Sequence, residues 1–216
     1  MFLKFPVVDL RSIMEQKILH NAAEMFLNLG FKSVTMDDIA NAMGISKKTI
    51  YQYYDNKTKL VEATTLYVFE NISHGIDCIC HDEKNPIEEI FEVKSFVMEH
   101  LKDEKSSPQY QLQKYYPKIF NSLKRKQFEV MQQCVTLNLQ RGIDWGLYRS
   151  NLNTSIISRI YFSCMVSLKD KELFPLKNHS MKTLMNTYLE YHLRGICTQK
   201  GLEKLTEILN NNLTNK

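Results

Sequence analysis

Glycine and proline are scarce in this chain, seven and five residues among 216. A sheet protein spends such residues on tight turns, and no segment here alternates apolar and polar side chains over strand length. A β architecture is thereby excluded and an all-α fold is expected. The local patterns that carry catalysis are also missing. There is no glycine-rich phosphate loop, no nucleophile elbow, no HExxH and no paired CxxC. Neither enzymatic activity nor a resident cofactor or metal is expected. No apolar run reaches the length that a membrane span needs. The opening MFLKFPVVDL is interrupted by Pro6 and Asp9 too early for an export signal. The five cysteines, Cys78, Cys80, Cys134, Cys164 and Cys197, are an odd number set in helical patterns. They fit a reducing interior, so a cytoplasmic protein without membrane contact is expected.

What is present is a chain of 44% hydrophobic residues, enough for one sizeable core and a small satellite domain. Its formal charge of +4 is too small to diagnose a polyanion partner, but the charge is local. Between Lys47 and Lys59 stand four lysines and one aspartate. That cluster lies in TMDDIANAMGISKKTIYQYYDNK, residues 35–57, which reads as two short helices joined by a glycine-centred turn. Thr35 opens the first helix, with Asp38 at its positive end. Ile39, Ala40 and Met43 are its apolar residues. Gly44 stops it in a left-handed conformation, Ile45 drops inward, and Ser46 caps the second helix. Ile50 and Tyr54, four residues apart, then face inward, which turns Lys48, Thr49, Gln52 and Tyr53 outward. The outward set is rich in donors and has no carboxylate. Such a face suits phosphates and major-groove base edges, although any short surface helix also carries Lys and Gln because water solvates them. Upstream, Ile18, Leu19, Ala22, Ala23, Phe26 and Leu29 form one stripe ended by Gly30, so a third helix can cover the pair. Downstream, Lys57 starts another helix, placing a cation and free N–H groups where a phosphate can dock.

The run from Ile18 to Leu60 resembles the N-terminal domain of the tetracycline-repressor (TetR) family of bacterial transcription regulators. The matching residues are Ala22, Ala23 and Phe26, Gly30-Phe31, and Thr35 with Asp38-Ile39-Ala40. They continue with Gly44-Ile45-Ser46-Lys47, Thr49-Ile50-Tyr51, Tyr53-Tyr54, Lys57 and Leu60. The resemblance implies a homodimer that binds a near-palindromic double-stranded DNA operator and releases it when a small molecule, of unknown identity, enters the C-terminal domain. It implies phosphate contacts at Thr35, Tyr51, Tyr53 and Lys57, and contacts to bases or backbone at Lys47, Lys48 and Thr49; Gln52 joins them from its outward position. Tyr54 departs from the commoner Phe and needs a partner for its hydroxyl. Lys48 stands where a small residue is frequent. The implied domains are an arm and DNA-binding head over 1–56 and an effector-binding and dimerisation body over 57–216. The alternative is a helical protein-interaction or ligand-carrier protein whose helix-turn-helix does not read DNA.

The body reads as successive amphipathic helices. Leu60, Thr64, Tyr67, Val68, Ile72, Gly75 and Ile79 stripe a long connecting helix, and Asn85-Pro86 opens the next, with Ile87, Ile90, Phe91, Met98 and Leu101 inward. A charged loop, KDEKSSP, follows over 102–108. An aromatic effector pocket is expected from Phe91, Met98, Tyr110, Tyr116, Phe120 and Trp145, with Lys94 on the same stripe. Lys94 must either reach solvent or meet an anion. Ile157, Tyr161 and Met165 lie on a helix that is apolar almost all round. The last major helix carries Met181, Leu184, Met185, Tyr188, Leu189, His192 and Ile196 at three- and four-residue steps. Pairing these two helices with a second copy gives an isologous four-helix dimer interface, with intrachain packing as the competing use of the same stripe. His74, Cys78 and His81 share a helix face that can hold a soft metal or sense oxidants, and a bare helix end accounts for them equally. Residues before about Arg11 form an arm, with Lys4 or Arg11 within reach of a minor groove.

Overall fold

The computed structural model describes residues 10–82, 84–101, 108–170, 172–175 and 177–214. The arm with Lys4 and the loop at 102–107 lie outside them. Ten α-helices and no strand occur among the described residues; one isolated bridge joins Tyr148 and Cys197. The helices are α1 (Leu10–Leu29), α2 (Met36–Met43), α3 (Lys47–Tyr51), α4 (Lys57–His81), α5 (Pro86–Leu101), α6 (Pro108–Tyr115), α7 (Pro117–Asp144), α8 (Thr154–Ser167), α9 (Met181–Ile196) and α10 (Gln199–Thr214). Proline opens α5, α6 and α7, where its missing N–H costs nothing and its fixed φ suits the first turn. The chain divides into two compact units, one made of the described residues of Met1–Asn71 and Glu104–Lys124, the other of those of Ile72–Asp103 and Arg125–Lys216.

The first unit closes around Ile18, Ala22, Phe26, Ile39, Ile50 and Leu60, each buried. Phe26 stacks on Phe31 with ring centroids 5.0 Å apart, and Tyr116 meets Phe31 edge-on at 6.3 Å. Leu29 is an exception to the expected stripe, for it is 58% exposed. Gly30 turns the chain away at a φ of 88° before the core reaches that position. The α6–α7 segment contributes Leu112, Tyr116, Phe120 and Leu123 to this core. Gln111 accepts a bond from the Lys32 amide at 3.0 Å, and a methyl placed on Gly30 would overlap its carboxamide. Tyr116 and Phe120 therefore belong to this head core. Aromatic spacing along a helix shows that a face is buried but not against what.

The second unit has its main core around Ile87, Leu139, Tyr148, Leu189, Leu193 and Leu205, with a smaller cluster of Leu168, Leu184 and Met185. Inside it the carboxylate of Glu89 is buried, paired with Arg141 and bonded by Asn138 Nδ2 at 2.8 Å. Tyr148 donates to Asn138 Oδ1 at 3.2 Å, so the buried charge has partners on several sides. The helix α10 goes beyond the sequence expectation, which ended the major helices at Ile196; it buries Leu205 and pairs Lys204 with Glu88 at 2.7 Å.

The expected dimer stripe packs in part within its own protomer. Tyr161, Leu184, Met185, Leu189, His192 and Ile196 are buried within one protomer, and Ile157, Met165, Met181 and Tyr188 are half-buried in the same clusters. Tyr161, Tyr188 and His192 contact one another with ring centroids 5.2 to 5.9 Å apart. The apolar side chains that α8 and α9 leave at the surface are Ile156, Ile160 and Tyr191, the last 77% exposed.

Candidate nucleic-acid interface

The helix pair α2–α3 is held by local bonds that the sequence dictates. Thr35 Oγ1 accepts from the Asp38 amide at 3.1 Å, while Asp38 Oδ2 accepts from the Thr35 amide and hydroxyl, both at 2.8 Å. This is a reciprocal capping box. The bonds from Thr35 hold the Asp38 carboxyl below its ordinary value. Because the Thr35 hydroxyl gives its proton to Asp38, its first task is to set the start of α2. Gly44 ends α2 in the left-handed region at φ 64°, and the Ile45 amide returns to the Ala40 carbonyl at 3.0 Å. Ser46 Oγ then accepts from the Thr49 amide at 3.1 Å and starts α3.

α3 points Ile50 into the head core, and Tyr54 follows it there. The Tyr54 hydroxyl reaches Glu15 Oε1 at 3.3 Å, which supplies the partner that a tyrosine in this place requires. Burial, then the Glu15 charge, raises the Tyr54 phenol above its ordinary range. On the opposite side Lys47, Lys48, Tyr51 and Gln52 are exposed, whereas Thr49 and Tyr53 are half-buried. Tyr53 is thus not fully outward; its ring packs on the head core and lies 5.9 Å from the Arg11 guanidinium. Its three-residue step from Ile50 is the signal for that inward lean. Lys47 is held by Asp37 at 2.7 Å and approaches the Tyr51 ring at 6.0 Å. The bond to Asp37 holds its ammonium above the usual lysine value. The side chains of Lys48 and Gln52 make no bond or ion pair among the described residues, so their donors are open to a ligand.

Lys57 is the first residue of α4 and donates to the Lys32 carbonyl at 3.3 Å. Burial lowers its ammonium below the lysine range, against the opposing pull of Asp38. Asn56 Oδ1 takes the Lys59 amide at 3.0 Å, so one of the helix-end donors expected to be free is capped. The structure thus brings Thr35, Lys47, Lys48, Thr49, Tyr51, Gln52, Tyr53 and Lys57 onto one small unit. Asp37 joins that surface as the partner of Lys47, and Arg11 lies against Tyr53.

Phe91, Lys94, Met98 and Trp145 of the expected effector set lie in the second unit. Phe91 and Met98 lie in separate clusters of the second unit, while Tyr110 and Trp145 are exposed. Lys94 Nζ donates to Asn186 Oδ1 at 3.0 Å and stands 5.8 Å from the Phe91 ring centroid. Burial, followed by the neighbouring Lys182 charge, lowers its ammonium below the usual value. An amide oxygen and a ring face thus take the place of the expected anion. Of the His74, Cys78 and His81 face, Cys78 Sγ lies 3.9 Å from His74 Nε2 and His81 turns to the Asp77 carbonyl at 2.6 Å. No group of three metal-ligating side chains occurs among the described residues, and no described helix is long and apolar enough to cross a membrane.

Two short capped helices about a left-handed glycine, the second presenting lysine and glutamine, define a DNA-binding helix-turn-helix. Residues 18–64 match the family model described as bacterial regulatory proteins, tetR family. The HTH-type transcriptional regulator YvaF of Bacillus subtilis is 24% identical over 214 residues, 93% of this chain and 96% of that protein. IcaR of Staphylococcus epidermidis, the negative transcriptional regulator of the biofilm operon icaADBC, is 30% identical over 81 residues, 37% of this chain and 42% of its own length. The crystal structure of a TetR-family regulator from Mesorhizobium loti superposes with a TM-score of 0.67 at 16% identity, covering 88% of this chain and all of that one. The first unit thus carries a DNA-binding region like that of the TetR family, and the relatives that the chain resembles are transcriptional regulators.

Proposed function

We propose that the protein is a dimeric repressor that binds a near-palindromic operator through two heads and leaves it when a small molecule occupies the body. The observation that carries this reading is the exposed edge of α3, where Lys48 and Gln52 stand without partners beside Tyr51 and the tethered Lys47. Lysine and glutamine at the start of a recognition helix reach base edges, and the phenol of Tyr51 and the cation of Lys57 suit phosphates. Thr35 and Thr49 hold the two helix starts, and Tyr53 sets the side of α3 against the core. The repressive sign follows from the likeness to IcaR, a negative regulator.

The functional division falls at 56/57, where α4 begins, with 1–56 as the DNA-binding domain and 57–216 as the effector and dimerisation domain. Ile156, Ile160 and Tyr191 are the surface on which the second copy docks, in place of the buried stripe. Two heads fixed on one dimer meet half-sites about one helical turn, roughly 34–36 Å, apart. A change in their separation forfeits base contacts that are each worth roughly 1–3 kcal/mol of discrimination. The effector sits beside Phe91, Lys94 and Met98. Selection from a pool of random duplexes tests the reading. Enrichment of an inverted repeat supports it, and a pool that stays random at low salt refutes it.

A further inference from the structure

Beyond the helix-turn-helix, the first unit carries a second basic surface. From 108 to 124 the chain holds Lys114, Lys118 and Lys124 and no acidic residue. All three lysines are exposed. The segment is fixed to the head by the Gln111 bond to the Lys32 amide and by Leu112 and Phe120 in the head core. Its outer side interleaves cations with aromatic rings. Lys114 Nζ stands 5.7 Å from the ring centroids of both Tyr110 and Tyr115, and Lys32 Nζ stands 5.5 Å from that of Tyr115. Tyr110 and Tyr115 are 53% and 40% exposed, an unusual outlay of ring surface to water. The surface is continuous with the operator side, because the Lys32 carbonyl accepts from Lys57, the residue at the N-terminus of α4.

We propose that this α6–α7 face, Lys114 of α6 and Lys118 of α7 with Tyr110 and Tyr115, extends the DNA footprint by taking phosphates of duplex flanking the half-site. The proposal rests on the operator reading above, since it continues the same polyanion surface. Lysines over exposed phenols offer charge and O–H donors to a sugar–phosphate rail without reading bases, so the contact is independent of sequence. Ion pairs do not compete for these ammonium groups, for Lys32, Lys114 and Lys118 have no carboxylate partner among the described residues.

Sequence independence makes the test simple, because any duplex serves as probe. Affinity for a labelled random-sequence 40-base-pair duplex is measured over a salt series for the wild type, Lys114→Ala/Lys118→Ala, and a control that removes equal charge from the other unit, Lys177→Ala/Lys200→Ala. Each phosphate contact contributes about 0.9 to the slope of log affinity against log salt, so Lys114→Ala/Lys118→Ala is expected to lower the slope by about 1.8 per head, or about 3.6 for a dimer with both heads on the duplex. The control is expected to leave it unchanged. An unchanged slope in Lys114→Ala/Lys118→Ala overturns the proposal while a steep wild-type slope leaves the operator reading standing. A wild type without salt-dependent binding overturns both. Loss of binding to anionic phosphatidylserine vesicles with an unchanged DNA slope assigns the face to lipid and also overturns the proposal.

Discussion

His192 shows how one side chain can tie stability to pH. It is 8% exposed, and burial pushes its imidazole down to about 4. The unfolded chain, with an ordinary histidine near 6.5, binds the proton that the fold refuses. Its contribution is therefore complete above about pH 6.5 and lost as the pH falls toward 4, on the order of 3 kcal/mol over that window. Thermal melts between pH 4 and 7 should show the decline, and His192→Leu should flatten it; an equal slope in the variant assigns the loss to other groups. Lys48 is the contrasting residue, exposed and without a bonding partner among the described residues. Lys48→Ala is expected to weaken binding of a selected operator by roughly 1–3 kcal/mol while leaving the melting temperature unchanged. Fluorescence titration at matched salt decides it, and equal affinity removes Lys48 from the interface.

At the scale of elements, the caps carry the argument. Thr35→Ala removes the hydroxyl that accepts from the Asp38 amide, keeps the backbone bond to Asp38 Oδ2, and should destabilise the protein by about 0.5–2 kcal/mol in urea unfolding. Gly44→Ala places a Cβ at φ 64°, and although open space surrounds it, the left-handed backbone should cost about 1 kcal/mol. These features were legible in the sequence because they are local: Thr35 and Asp38, Gly44, and Ser46 act within four residues of themselves. The inward pair Ile50 and Tyr54 was legible for the same reason. The partners of the body stripes were not. The spacing of Leu184, Leu189 and His192 states that a face is buried, but the neighbour that buries it comes from elsewhere in the fold, and here it is the protomer itself. Tyr116 and Phe120 went to the head core because α6 and α7 return to it after an intervening helix, a long-range event that no periodicity encodes. Leu29 illustrates the limit of a stripe at a helix end, where the chain turns before the core reaches it.

For the whole molecule, the account requires two heads acting together. The surface residues Ile156, Ile160 and Tyr191 should hold the pair, so Ile160→Asp is expected to yield monomers in sedimentation velocity without loss of helix content. A variant that remains dimeric moves the interface elsewhere. Monomers should bind duplex DNA weakly, because each head then pays its own association cost. Hydroxyl-radical footprinting of the wild type on a selected operator is the most direct measurement of the central claim. The account predicts two protected windows on one face of the duplex, one helical turn apart, both fading when α3 carries Lys48→Ala. A single protected window, or two windows indifferent to that substitution, would contradict it.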